Sequence, residues 1–346
     1  MNKKISIIIP CYNTEKYIDR CLHSVVNQTI GMESLEIICV DDASTDSTYE
    51  KLLAWEQKYT ENIMVVHCKE NGRQGCARNI ALTYATGDYI TFLDSDDWLE
   101  LDAYEKMYHA MHTYVCDIVR CKMIRDPDQM NIWTQELKRD NHDVFIEITD
   151  DEERKKLIVS DIMDHLCCNK MYSRDLIFKN NIHFPEKCFY EDIFFGVLHY
   201  LYAKRIYLLN EKLYHYFINE KSTVMKKEEA YHMDRFYVVS KLWEEFKVRN
   251  VLTKYQKELE LNFLVHYYLN GIRMLAICYK HPTLEQFQKI CAGVKTTIPD
   301  YKSNPYIHKV LDDMCQLQIA LIDQNISEPE FDSMIALLKN YTPDSK

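Results

Sequence analysis

The chain has 346 residues, 47% of them hydrophobic and 27% charged, and a formal net charge of −11. Length points to two domains, and the composition is that of a soluble globular protein. An acidic chain with no dominant basic block excludes general nucleic-acid binding.

The first third alternates strand and helix patterns. Ile5–Ile9 reads as a strand, and Thr14–Gln28 as a helix with Tyr17, Ile18, Cys21, Leu22 and Val25 on one face. Leu35–Val40 is a second strand, and Thr45 or Asp46 caps a helix running to about Tyr59. Ile63–His67, Tyr89–Leu93 and Ile118–Lys122 are further strands, separated by helical patterns at Gln74–Ala85 and Glu100–Tyr114. Strands spaced by helices of this length predict βαβ units, an α/β fold and a mostly parallel sheet.

Residues 126–150 are polar and irregular. Asp151–Ser160 then reads as a helix, Asn169–Tyr172 as extended, Ser173–Asn180 as a capped helix, and Glu191–Ala203 as a helix opened by two acids. Ile206–Leu209 and Lys212–Phe217 read as short strands. From about Lys226 the pattern is helical throughout, with Leu242, Phe246, Leu259, Phe263, Leu264, Tyr267 and Tyr268 recurring at helical spacing. That stripe is read as core or acceptor-domain packing. The mixed aromatic and basic content of Lys226–Lys257 also suits a helix lying on a membrane surface or a partner. A boundary is expected near 220–226.

Thirteen cysteines are scattered without a CxxC pair. They read as reduced core residues of a cytoplasmic protein, not as a disulfide framework or zinc site. No signal peptide is expected, since Met1-Asn2-Lys3-Lys4 runs straight into a strand. No apolar run approaches the roughly 20 residues that span a bilayer. The best candidate, Phe263 to Tyr279, is interrupted by His266, Asn270 and Arg273.

Chemistry concentrates at strand ends. The run Tyr89 to Leu93 delivers Asp94-Ser95-Asp96-Asp97 at the C-terminal end of a strand, where open α/β sheets place ligands. Carboxylates this close repel one another unless a cation neutralises them. A hard divalent ion, Mg²⁺ or Mn²⁺, completed by substrate phosphates suits them; a capping loop for the next helix is the plainer alternative. Pro10-Cys11-Tyr12-Asn13, Asp41-Asp42 and Asn71 to Asn79 follow the other three strands, so a parallel sheet puts all four groups on one edge. With only seven glycines, neither a G-x-G-x-x-G turn nor a G-x-x-x-x-G-K-[ST] loop is present, which disfavours dinucleotide and Walker-type sites.

Ile7-Ile8-Ile9-Pro10-Cys11-Tyr12-Asn13, Val40-Asp41-Asp42-Ala43-Ser44-Thr45-Asp46-Ser47-Thr48, Ala77-Arg78-Asn79, Gly87-Asp88-Tyr89-Ile90 and Leu93-Asp94-Ser95-Asp96-Asp97 together resemble the family 2 glycosyltransferases. Asn169-Lys170-Met171-Tyr172 and Tyr190-Glu191-Asp192-Ile193-Phe194-Phe195 resemble that family's acceptor-side motifs. The resemblance covers roughly residues 3–220 and implies a GT-A fold and an inverting enzyme using nucleotide-diphosphate sugars, usually with a divalent metal. It implies a catalytic domain over 1–222, with a nucleotide-binding half to about 125 and an acceptor half over 126–222. Residues 223–346 would form a helical extension.

The roles that the resemblance implies are these. Tyr12 lies against the nucleobase and Pro10 shapes its turn. Asp42, with Asp41 beside it, accepts from the N3–H of uracil. Asn13, Asn71 and Ser95 line the donor site. Arg78 reaches the diphosphate or braces the acidic loop; a surface salt bridge is the alternative. Asp96 is the metal ligand, with Asp94 acting through water or the ribose hydroxyls, and Asp97 caps the following helix. Asp192 is the base that takes the acceptor's proton, with Glu191 second; helix capping is the alternative for both, as for Asp41-Asp42. Tyr214-His215-Tyr216 to Ser222-Thr223 resembles the end of the catalytic domain; a structural histidine is favoured at His215 over a metal ligand. Arg73 stands where the family commonly has glycine, facing water or a phosphate, and Ala43 does too, tolerable if φ is negative.

The resulting expectation is a transferase working at the inner membrane face, moving a sugar, from UDP by preference, to a glycan or lipid-linked acceptor in cell-surface polysaccharide synthesis. Two rivals are weighed. A nucleotidyltransferase needs a glycine-rich, lysine-bearing first loop, which Pro10–Asn13 is not. A non-catalytic nucleotide-sugar-binding or scaffold protein on the same fold has no need of Asp94, Asp96 and Asp192.

Overall fold

The computed structural model describes residues 4–126, 142–160, 165–218 and 229–340. They divide into two units. The first takes in 4–126, 142–149 and 165–218; the second takes in 150–160 and 229–340. Ser222, Thr223, Lys226 and the expected boundary lie outside the described residues, as does most of 126–150.

The first unit is built on a nine-stranded sheet. Its strands are β1 (Ile5–Cys11), β2 (Leu35–Asp41), β3 (Ile63–His67), β4 (Tyr89–Phe92), β5 (Trp98–Leu99), β6 (Ile118–Asp126), β7 (Val144–Glu147), β8 (Lys170–Ser173) and β9 (Arg205–Phe217). The order is β3-β2-β1-β4-β8-β6-β9-β5, with β7 also on β9. From β3 to β4 all pairings are parallel, as are those of β6 with β9; β8 runs antiparallel to both its neighbours. The helices of the unit are α1 (Ile18–Val26), α2 (Thr48–Lys58), α3 (Arg73–Tyr84), α4 (Ala103–Tyr114) and, beyond α5 (Asp151–Ile158) of the second unit, α6 (Arg174–Lys179) and α7 (Glu191–Tyr202).

Every residue of β1 is buried, as a near-continuous apolar run, interrupted by Ser6, in a sheet covered on both faces requires. Ile5, Ile7, Ile9 and Cys11 share one core with Ile18, Cys21, Leu22 and Val25 of α1. On β4, Phe92 packs edge-on against Phe184 and Phe195, whose rings stack 3.9 Å apart. This aromatic cluster fixes α7 beneath the end of β4.

Several elements differ from the sequence expectation. α1 starts four residues late because Tyr17 and Ile18 close a turn on the Thr14 carbonyl. β9 is one strand rather than two: its polar middle stays in the ladder because Asn210 donates its amide to Asp143 at 2.7 Å. β5 and β7 carry too few residues to show a period. The helix at 151–158 groups with the second unit, although its sequence position suggests the first.

The second unit is helical: α5, α8 (Glu229–Val248), α9 (Leu252–Phe263), a π-helical turn at Leu264–Leu269, α10 (Asn270–Cys278), α11 (Leu284–Thr297), α12 (Tyr306–Val310), α13 (Asp313–Ala320) and α14 (Glu328–Asn340). Leu242, Phe246, Leu259, Phe263, Leu264 and Tyr268 are buried, so the predicted stripe is core. Thr283 and Gln286 form a capping box at α11. Among the described residues no helix is long and apolar enough to cross a membrane.

Candidate functional site

The order β3-β2-β1-β4 reverses direction at β1, so the crevice between the C-terminal ends of β1 and β4 is the topological switch point where such sheets hold ligands. The four strand ends share an edge because their pairings are parallel. Pro10 lies beyond the last β1–β4 pair, Ile8 with Phe92, so its missing N–H breaks no bond to β4. Tyr12 follows with 48% of its surface exposed. Asn13 ties this turn to the loop after β2: its amide donates to Ser44 Oγ at 3.0 Å and its Oδ1 accepts the Thr45 amide at 2.8 Å.

Asp41 and Asp42 are both buried. Neither caps α2, where Asp46 accepts the Thr48 amide instead. Asp41 Oδ2 lies 2.7 Å from His67 Nδ1 and accepts the Ser44 amide. Asp42 Oδ1 accepts the Gly72 amide at 2.8 Å, and Asn71 donates Nδ2 to the Asp42 carbonyl. Burial pushes the Asp42 carboxyl up, against the pull of the Gly72 and Arg73 amides. Ala43 holds φ at 59° and Arg73 at 66°. Both therefore occupy the left-handed region that favours glycine, so the condition of a negative φ at Ala43 is not met. Arg73 is half-buried, and its guanidinium lies 4.0 Å from the Phe189 ring centroid.

The acidic loop is held from three sides. Asp97 is buried and does not cap α4, whose N-cap is Asp102. Its two oxygens accept Tyr214 Oη at 2.5 Å and the Phe217 amide at 2.7 Å, which fixes the end of β9. Burial, with Asp96 and Asp94 nearby, pushes its carboxyl up. Asp96 is half-buried; burial and then the Asp94 charge push its carboxyl up to about 6. Ser95 is buried between them. Arg20 of α1 donates to the Asp96 carbonyl at 2.7 Å and lies over Trp98, 3.7 Å from its centroid. His215 stacks on Trp98 and pairs with Glu100 at 2.8 Å, a structural position.

Arg78 closes the arrangement. It is 2% exposed, so the surface-bridge alternative does not hold. Nη1 donates to Glu191 Oε1 at 2.5 Å and Nη2 to Asp94 Oδ1 at 2.8 Å. Glu191 is thus buried against a guanidinium, while Asp192, the next residue, is half-buried in the first turn of α7. Asn169 and Lys170 are buried and bonded to each other and to the backbone at Cys121 and Leu166. His67 and Arg20 escaped the sequence reading; His67 stands at the end of β3, in line with the other strand ends, whereas Arg20 gives no local signal. Among the described residues no group of three or more His, Cys, Asp or Glu is arranged to hold a metal.

The profile described as glycosyl transferase family 2 matches residues 6–179, half of the chain. The chain belongs to this family. A poly(ribitol-phosphate) beta-glucosyltransferase of Bacillus spizizenii is 34% identical over 236 residues, 68% of this chain and 34% of that protein. A putative glycosyltransferase, EpsH of Bacillus subtilis, is 29% identical over 267 residues, 76% of this chain and 74% of its own. The chain therefore spans about a third of the first relative and three quarters of the second. The crystal structure of residues 1–349 of TarS from Staphylococcus aureus, in complex with UDP, superposes with a TM-score of 0.69 at 22% identity, covering 97% of this chain and 90% of that one. The likeness shows the fold, which is GT-A.

Proposed function

We propose that this chain transfers a sugar from a nucleotide-diphosphate donor, a UDP-sugar by preference, to a hydroxyl of a glycan or lipid-linked acceptor in cell-surface polysaccharide synthesis. The observation that carries the reading is the buried chain Asp94–Arg78–Glu191, which seats the start of α7 beside the acidic loop at the switch point. The name of the Bacillus spizizenii relative, a poly(ribitol-phosphate) beta-glucosyltransferase, and the UDP held by the TarS structure support the donor and acceptor classes. We place the enzyme in the cytoplasm, in peripheral contact with the inner membrane face.

In this reading Tyr12 lies against the base on the turn shaped by Pro10, and Asp42 accepts from the uracil N3–H. Asn13, Asp41, Asn71 and Ser95 hold the loops that carry those contacts. Asp192 takes the proton of the acceptor hydroxyl as its oxygen attacks the anomeric carbon in line. The bond from that carbon to the nucleoside diphosphate breaks with inversion. General base assistance is worth about 10²–10⁴-fold. Glu191, committed to Arg78, orients the helix start rather than taking the proton.

The donor set suits a hard divalent cation: two acceptor-only carboxylates, Asp94 and Asp96, whose mutual repulsion such an ion relieves. Asp96 would hold Mn²⁺ or Mg²⁺ directly and Asp94 through water or ribose, with donor oxygens filling the shell. Bound there, the ion offsets charge on the departing diphosphate.

Thermal unfolding with UDP, GDP or dTDP, each with Mn²⁺ or with EDTA, tests the site. A nucleotide at 100 times its Kd adds about 2.7 kcal/mol to the folded state. Stabilisation by UDP that needs Mn²⁺ supports the reading; no shift with any nucleotide counts against a donor site.

A further inference from the structure

The loop from Phe184 to Tyr190 runs along α3 before α7 begins, and its contacts with α3 form a ladder. Asn79 donates Nδ2 to the Phe184 carbonyl and accepts the Phe184 amide at Oδ1, each at 2.9 Å. Gly75 lies so close that a Cβ there would meet the Pro185 carbonyl at 2.3 Å. The Lys187 amide donates to the Gly72 carbonyl at 3.3 Å. At the end nearest Asp42, Arg73 stacks on Phe189.

This interface holds strained backbone on both sides. Arg73 has φ 66°, and the facing loop has Lys187 at 58° and Tyr190 at 64°. Such conformations persist where surrounding contacts over-determine them. A glycine would take the Arg73 φ without strain, but it would lack the planar cation that meets the ring face. The Arg73 amide meanwhile donates to Asn71 Oδ1 at 3.3 Å, and Asn71 donates Nδ2 to the Asp42 carbonyl. One residue thus links, through Asn71, the loop that carries the base-site carboxylate to the loop that delivers Asp192.

We propose that Arg73 is a positioning residue. Its stack on Phe189 fixes the Phe184–Tyr190 loop to α3 and so sets the separation between the nucleotide base and the proton-accepting carboxylate. The proposal rests on Asp192 being the base. A displacement of about 1 Å at such a group lowers the rate by up to two orders of magnitude.

The test compares Arg73→Gly, Phe189→Leu and Arg73→Lys with wild type. Arg73→Gly keeps the amide that bonds Asn71 and relaxes φ, so it folds with an undiminished melting temperature. Amide exchange is read over residues 184–191, UDP affinity by calorimetry, and turnover as UDP released from UDP-glucose or UDP-N-acetylglucosamine. The expected result for Arg73→Gly and Phe189→Leu is exchange about tenfold faster in that loop, UDP affinity within about twofold, and kcat about tenfold lower. Arg73→Lys, which keeps a cation, recovers part of each. Unchanged exchange overturns the proposal, as does faster exchange with undiminished kcat. Lost UDP affinity at full kcat overturns it in favour of a donor contact. Faster exchange in a protein whose wild type releases no UDP upholds the link between loops and sinks the transferase reading instead.

Discussion

Glu191 holds Arg78 through a 2.5 Å ion pair that leaves the two side chains 6% and 3% exposed. The pair lies between α7 and α3, and the second arm of the guanidinium reaches Asp94. Removing one partner of a buried pair strands the other charge, at about 3–5 kcal/mol. Arg78→Met therefore lowers unfolding free energy in urea by that order. Glu191→Gln, which keeps a hydrogen-bond acceptor, lowers it less. Equal and small losses would show that the pair is solvated.

Asp192→Asn separates catalysis from binding. Turnover is expected to fall about 10²–10⁴-fold while calorimetric UDP affinity stays within about twofold of wild type. Undiminished turnover assigns the proton transfer elsewhere.

Asp96→Asn removes one of the three carboxylates of the acidic loop. The expected outcome is a higher melting temperature for the protein alone and loss of the Mn²⁺-dependent part of the UDP shift. A metal-dependent shift that survives the substitution would move the ion away from Asp96.

Ala43 carries a φ of 59°. Ala43→Gly removes a left-handed strain of about 1 kcal/mol, partly offset by the freedom glycine brings to the unfolded chain. The melting temperature should rise with UDP affinity unchanged; a fall would mean that the Ala43 methyl packs usefully.

His199 sets an acid limit. It is buried against Tyr172 and Phe195, and burial followed by the Lys170 charge pushes its pKa down from 6.5 to about 3. The unfolded state takes up a proton below 6.5 that the folded state refuses. Its contribution is complete above that value and is lost as pH falls towards 3, with a slope approaching about 1.4 kcal/mol per unit. His199→Leu should flatten the stability profile between pH 6 and pH 4. An unchanged profile would assign the acid sensitivity to other groups.

The elements that the sequence discloses are those with a period of their own. β3 matches its expected span, Ile63–His67, because an apolar run between turn residues has one way to fold. The acidic groups at strand ends follow from the same pattern. β7 was hidden because its four residues pair only with the distant β9. Arg20 sits on an ordinary amphipathic helix, and only the tertiary fold brings it to Asp96. The positive φ at Ala43 and Arg73 was half legible: the family's glycines mark the positions, but alanine and arginine there predict nothing unless the backbone is seen.

The insertion of β8 between β4 and β6 has a consequence for biogenesis. Until synthesis reaches Lys170, β4 has only β1 beside it and presents a bare hydrogen-bonding edge next to the acidic loop. Open strand edges recruit other chains, and N-terminal segments emerge first from the ribosome. A fragment stopped near residue 125 should therefore self-associate even though it contains β1 to β4, and release from that state comes only with the arrival of a strand almost 50 residues further on.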